Sequence, residues 1–226
     1  MKILTWNCNL AFRKKYEHIL EYDPDICVIE ECENPELYPN EYGDFAQNYI
    51  WTGDNKNKGL GIFAKPDIKI EKQTWTLGDF LRYFIIARVN DSFDLVAVWT
   101  MDGYIPTFAA LQEVNLDKFN NTLVLAGDFN SNKIFDGTYG GPRNNHSAII
   151  KKLADFGLDS SYHHYFNEEQ GQESRATYFQ YRKADDKNKF HLDYIFCDQK
   201  RVNKFEIGDE SWLEYSDHVP LYVDID

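Results

Sequence analysis

The sequence predicts an α/β protein in which sheets pack on one another and helices lie outside. Three observations carry that expectation. Apolar runs of strand length recur along the whole chain and outnumber helical patterns. Aromatic residues make up 16% and hydrophobic residues 43% of the 226 positions, a composition suited to pleated, half-buried surfaces. Polar residues able to do chemistry stand where several of these runs end. The length is enough for one large core, and no repeat, low-complexity stretch or compositional break divides it, so one domain over 1–226 is expected.

The elements follow in order. Lys2 to Asn9 alternates, with Ile3, Thr5, Asn7 and Asn9 on one side and Leu4, Trp6 and Cys8 on the other, as a strand does. Phe12, Tyr16, Ile19 and Leu20 fall on one helical face that Asp23-Pro24 ends. Asp25 to Glu30 is a second buried strand, with Glu30-Glu31 at its end. Positions 33–58 are polar, aromatic and rich in turn signals, and predict a long loop. Gly59–Ala64 and Ile68–Trp75 read as strands, then Tyr83–Val89 and Phe93–Thr100 as a hairpin around Asn90-Asp91-Ser92. A helix over 107–118 turns Phe108, Leu111 and Val114 inward. Thr122 to Ala126 leads a buried strand into Gly127-Asp128-Phe129-Asn130. A helix over 145–156 buries Ile149, Ile150 and Leu153, with Gly157 at its C′ position. The last third reads as mainly β: Ala176–Tyr181, Leu192–Cys197, Val202–Ile207 and Val219–Ile225.

The strand ends carry the functional signal. Asp128 and Asn130 are two apart, so on an extended backbone both project the same way. Asn7 and Glu31 end the first two strands. Asp193 stands inside the apolar run Leu192–Cys197, where an acid is costly unless paired. Ser216-Asp217-His218 precedes the last strand. Each motif alone also fits a plainer role: an Asx turn, a solvated strand edge, a structural ion pair. Together they supply one Glu, three Asp, one His and two Asn from five strand ends. Hard oxygen ligands suit Mg²⁺. A His beside a carboxylate can be oriented and made basic enough to activate water. Carboxamides hydrogen-bond a phosphate without adding negative charge. Such a set serves attack by water on phosphorus, with a cation on the developing charge.

Charge restricts the partners. With 24 Lys and Arg against 37 Asp and Glu the formal net charge is −13. No basic cluster is longer than three residues, so the stripe expected of a protein living on phosphate contacts is missing. No apolar run reaches membrane-spanning length. The start runs directly into a strand pattern without a signal-peptide core, and none of the four cysteines forms a Cys-x-x-Cys pair. The expectation is a cytoplasmic, reduced, monomeric protein.

In order and over nearly the whole chain, Thr5-Trp6-Asn7, Asp25 to Glu31, Gly59-Leu60-Gly61-Ile62-Phe63, Gly127-Asp128-Phe129-Asn130, Leu192-Asp193-Tyr194-Ile195 and Ser216-Asp217-His218 resemble the motifs of the endonuclease/exonuclease/phosphatase superfamily. The resemblance implies a DNase I-like four-layered sandwich of two packed, mainly antiparallel sheets flanked by helices, and Mg²⁺- or Mn²⁺-dependent cleavage of a phosphoester. It implies Glu31 as metal ligand, Asn7 as a neighbour touching metal or phosphate, and Asp217 as the acid beside the metal. Asp128 and Asn130 would position nucleophile and phosphate. His218 would be the general base, with Asp193 orienting it. The chain departs from the family twice. Asn9 stands where many of its nucleases have an acid. Val98 to Asp102 matches neither pattern usual after that strand, which leaves Tyr104 as a candidate phosphate contact.

Loops, not the shared core, set the substrate in such a family. A nuclease or phosphodiesterase acting on short or single-stranded nucleic acid is the leading expectation. A small-molecule phosphatase of the sugar or inositol type is the alternative, and a silent binding module a further one. Aromatics at 33–58 (Tyr38, Tyr42, Phe45, Tyr49, Trp51) fit stacking on bases, but packing of that segment onto the body is the plainer reading.

Overall fold

The computed structural model describes residues 1–76, 80–101, 105–185 and 187–226. Its strands are β1 (Lys2–Asn7), β2 (Ile26–Cys32), β3 (Tyr49–Asn55), β4 (Lys58–Ala64), β5 (Ile70–Gln73), β6 (Phe84–Val89), β7 (Phe93–Trp99), β8 (Val124–Asp128), β9 (Asp159–Ser160), β10 (Tyr178–Phe179), β11 (Lys189–Phe190), β12 (Asp193–Cys197), β13 (Val202–Ile207) and β14 (Leu221–Ile225). The α-helices are α1 (Tyr16–Ile19), α2 (Pro39–Tyr42), α3 (Ile105–Val114), α4 (His146–Asp155) and α5 (Ser161–Phe166).

Two six-stranded sheets form the body, in the orders β13-β14-β1-β2-β4-β3 and β5-β6-β7-β8-β12-β9. Each is mixed: β1 runs parallel to β2 and β7 to β8, while the other neighbours are antiparallel. Alternation along the strands sorts side chains into layers. Ile3, Val28, Ile62 and Leu221 meet Ile85, Leu95, Ala126 and Ile195 between the sheets. Val96, Leu125 and Phe196 turn outward under Phe108 and Leu111 of α3 and Ile149 and Leu153 of α4. Leu4, Trp6, Ile29 and Phe63 turn outward on the other sheet, beneath Phe12, Ile19, Tyr42 and Trp212. The four layers are those expected.

Several elements differ from the sequence reading. The 33–58 stretch contains a short helix and the edge strand β3, not only loop. Its aromatics pack down on the outer face of the first sheet, so they do not offer a stacking platform. The 12–20 helix is broken into two short 3₁₀ segments flanking α1, and Leu20 is exposed. Lys15, between the first 3₁₀ segment and α1, has φ −132° and ψ −16°, outside the helical region, and interrupts a continuous helix. Val114, expected inward, is exposed at the end of α3. In the last third, α5 was not foreseen and the strand at 176–181 shrinks to the two residues of β10.

Gly127 shows why its position is fixed. Its φ is 145°, and a Cβ there would lie 1.9 Å from the carbonyl oxygen of Val98 on the parallel neighbour. Gly127→Ala should therefore destabilise the protein by roughly 3 kcal/mol, through overpacking and backbone strain. Urea denaturation checks this, and an unchanged midpoint would mean that β7 and β8 separate easily.

Candidate active site

The polar strand ends converge at one end of the sandwich. Asn7, Glu31, Asp128, Asn130, Asp217 and His218 line one cleft of about 400 Å³ together with Phe135, Tyr139, Tyr178, Phe190 and Leu192. Asp193 lies behind His218: its Oδ2 is 2.8 Å from His218 Nδ1. All seven of these predicted residues are thus brought together. Tyr104 lies outside the described residues.

Local backbone explains each placement. The pairing of β2 with β4 shifts register between Glu30 and Cys32, and Glu31 has φ 61°. That bulge re-aims Glu31, so that both acids reach the same end of the sandwich. Glu30 points between the sheets and accepts from Thr5 Oγ1 at 3.0 Å. Its burial, with Asp193 and Asp128 nearby, pushes its carboxyl well above the usual range, which favours the uncharged form. Glu31 turns to the cleft, where Lys58 Nζ lies 3.1 Å from Oε2. Asn130 has φ 42° just past β8. Its backbone N–H donates to Asp128 Oδ1 at 2.8 Å, and its Nδ2 to Thr100 O at 2.7 Å and Asp128 Oδ2 at 3.0 Å. Asn7 Nδ2 donates to Asp128 Oδ2 at 3.1 Å and reaches Glu31 Oε1 at 3.5 Å.

Three supporting residues were not assigned a role from sequence. Ser216 Oγ donates to Asn7 O at 2.6 Å and accepts from His218 N at 3.1 Å, fixing the turn before β14 on β1. Thr177 Oγ1 accepts from the N–H groups of Leu192 and Asp193 at 2.9 and 3.0 Å. Asn9 Nδ2 donates to Asp217 Oδ1 at 2.7 Å, so the amide that departs from the family's acid tethers one. The aromatic wall was missed as well. The Tyr178 ring lies 4.9 Å from His218 and stacks with Phe190, which meets Phe135 edge-on at 5.2 Å.

Electrostatics follow from crowding. Asp128 and Asp193 are register partners on β8 and β12, and both are 1% exposed. Burial, then the Asp193 charge, raises Asp128 to about 7 despite His218 and the hydrogen bonds from Asn130 and Asn7. For His218 burial works downward, but Asp193, then Asp128 and Asp217, outweigh it and push the imidazole up to about 10. Among the described residues, Asp128, Asp193 and His218 are the acid/His group whose ligand atoms lie within 4.8 Å of one another. Asp193 Oδ2 and His218 Nδ1 already engage each other, however, whereas Glu31 and Asp217 are only partly buried and present oxygens at the cleft.

The sequence profile of the Endonuclease/Exonuclease/phosphatase family matches residues 4–218. The chain belongs to that family. Its fold is shared with a 3′ phosphatase, NExo, from Neisseria bound to product DNA hairpin, at 21% identity over 100% of this chain and 99% of that one, with TM-score 0.71. An AP endonuclease from Archaeoglobus fulgidus gives TM-score 0.65 at 16% identity, covering 100% and 99% of the two chains. D. rerio TDP2 complexed with single strand DNA product gives 0.65 at 15% identity, covering 99% and 97%. No curated protein matches the sequence. As a family member the chain is a phosphoesterase, and the DNase I-like sandwich is confirmed. No helix among the described residues is long and apolar enough to cross a membrane.

The His218 pairing gives a signed test. A group whose pKa is raised by folding contributes stability that is full below its unfolded value of about 6.5 and is lost as pH rises toward the folded value, here about 10. NMR titration should show His218 protonated well above pH 7. In Asp193→Asn its midpoint should fall by more than one unit, and the stability gap to the parent protein should narrow between pH 7 and 10. A midpoint near 6.5 in the parent protein would contradict the pairing.

Proposed function

We propose that this chain is a divalent-cation-dependent phosphodiesterase acting on short or single-stranded nucleic acid, with 1–226 as one catalytic domain working as a monomer. The observation that carries the reading is the cleft itself. An oriented His–Asp pair, two amides and open carboxylates share one pocket with an aromatic wall. The names of the similar solved structures, a 3′ phosphatase with product DNA and TDP2 with single strand DNA product, support the substrate class.

Glu31, Asp217 and the Asn7 amide would hold the cation. Their hard oxygen donors, opening to solvent on one side, fit Mg²⁺ or Mn²⁺, which keeps several waters. When bound, the cation supplies positive charge to the phosphate oxygens and leaving group. The protein's own residues do the rest. Asp193 fixes His218 through Nδ1 and leaves Nε2 to the cleft, where it takes the proton of the attacking water. Asp128 positions that water, being within reach of the histidine and braced by Asn130 and Asn7. The amides of Asn7 and Asn130 hydrogen-bond the phosphate. Tyr178, Phe190 and Phe135 take the base or sugar beside the scissile phosphate, since ring stacking tolerates any base. Four free, buried cysteines support a reduced, cytoplasmic setting.

Hydrolysis of a short single-stranded oligonucleotide and of an inositol-type phosphomonoester, each in EDTA and in Mn²⁺, tests the assignment. Mn²⁺-dependent cleavage of the oligonucleotide is expected. Undiminished activity in EDTA sinks the cation reading, and turnover of the monoester alone favours the phosphatase alternative.

His218→Ala should lower kcat by roughly 10²–10⁴-fold, the range for losing a general base. A base must be neutral, and His218 is held protonated by its carboxylates, so the rate should climb with pH on the alkaline side of neutrality. That limb should vanish in the variant. A rate that instead falls as pH rises would make His218 a proton donor to the phosphate.

A further inference from the structure

Apart from His218, the side chains lining the cleft are acidic, amide, aromatic or apolar. A phosphate needs positive charge there, and two lysines stand near its edge: Lys15 is held by the carbonyls of Cys8 and Asn9, and Lys58 is the one beside Glu31. Lys58, the first residue of β4, places Nζ 3.1 Å from Glu31 Oε2 and 5.2 Å from the centre of the Trp99 ring. Trp99 is buried at the end of β7, directly paired with Asp128 of β8. The ammonium therefore stands beside the cation-binding carboxylate and above the strand that neighbours Asp128. The chain leaving β7 offers no alternative at its first two residues. The Thr100 hydroxyl is buried and donates to the Phe129 carbonyl, and Met101 packs against the core.

We propose that Lys58 is the phosphate-binding residue of the cleft, exchanging Glu31 for a substrate phosphate oxygen while its ammonium stays over the Trp99 face. The proposal rests on the reading of Glu31 as cation ligand. An ammonium and a divalent cation compete for one carboxylate, and the divalent ion has the greater charge at the same oxygen. Lysine is suited to the exchange, being a compact charge with rotatable donors on a flexible stem. At 40% side-chain exposure Lys58 is free to turn, and the aromatic face keeps the released charge in place. Substrate binding and cation binding are then coupled through one side chain.

Three variants of the full chain test this: Lys58→Met, Lys58→Arg and Glu31→Gln. Mn²⁺ affinity is read by electron paramagnetic resonance without substrate, and inorganic phosphate affinity by calorimetry at saturating Mn²⁺. Lys58→Met should bind Mn²⁺ about 2- to 5-fold tighter, the scale of one lost exposed ion pair. It should bind phosphate roughly 10- to 100-fold more weakly, as for a lost hydrogen bond to a charged partner, with KM rising more than kcat falls. Lys58→Arg should recover part of the phosphate affinity. Unchanged phosphate affinity in Lys58→Met, or weaker Mn²⁺ binding, overturns the proposal. Glu31→Gln separates the two levels. It should lose Mn²⁺ binding, and retention would overturn the cation reading on which the proposal stands.

Discussion

Two buried carboxylates facing one another are the constraint on which this end of the molecule depends. Asp128 and Asp193 are opposite each other on adjacent antiparallel strands, a pairing that like charges destabilise. Burial makes it worse. The offset comes from the other sheet: His218 leads into β14 and Asn7 ends β1, and these reach Asp193 and Asp128. The sandwich is closed by polar cross-links at the catalytic end and by aliphatic packing elsewhere. Removing one partner of such a pair costs about 3–5 kcal/mol, because the other charge is left buried and unpaired. Site and fold therefore share one set of bonds. The proposed chemistry wants an oriented, basic imidazole, and the fold wants a positive group between two acids.

The bulge at Glu31 solves a second problem of the same kind. Consecutive strand residues face opposite ways, so Glu30 and Glu31 would ordinarily be divided between the core and the outer layer. The register shift lets β2 deliver both to the catalytic end. One is a buried acid bonded to Thr5, its carboxyl pushed well above the usual range, and the other opens to solvent. Five acids, Glu30, Glu31, Asp128, Asp193 and Asp217, share these few strand ends, and the crowding is eased because burial favours the uncharged form of Glu30.

How much was legible in the sequence follows from this geometry. The strand ends were readable because apolar runs stop abruptly at Asn7, Glu31 and Asp128, and because an acid inside a run, Asp193, demands a partner. The family resemblance, not the residues alone, named His218 as that partner. The aromatic wall was not readable. Tyr178 and Phe190 belong to two-residue strands that pair with each other, and Tyr178 also bridges to His218, long-range contacts without local periodicity. The edge strand β3 hid for a related reason. Its residues are half-buried without alternation, so no period of two marks it. In α5, Tyr162, Tyr165 and Phe166 are residues that strands also favour, and tertiary contact decides.

The negative surface and the phosphate substrate are reconciled by range. A net charge of −13 acts on a long duplex through many sites at once, and each extended phosphate added to the footprint meets more of it. A single phosphate in the cleft is governed by what lies within the Debye length of about 8 Å. Inside that radius the balance is local: the acids Glu31, Asp128, Asp193 and Asp217 are set against His218, the ammonium of Lys58 and the cation that the oxygen donors of Glu31 and Asp217 are suited to hold. Deep sites with short-range positive charge on an acidic body thus select for substrates that enter rather than lie across, which is the property a cleft of about 400 Å³ with an aromatic wall would use.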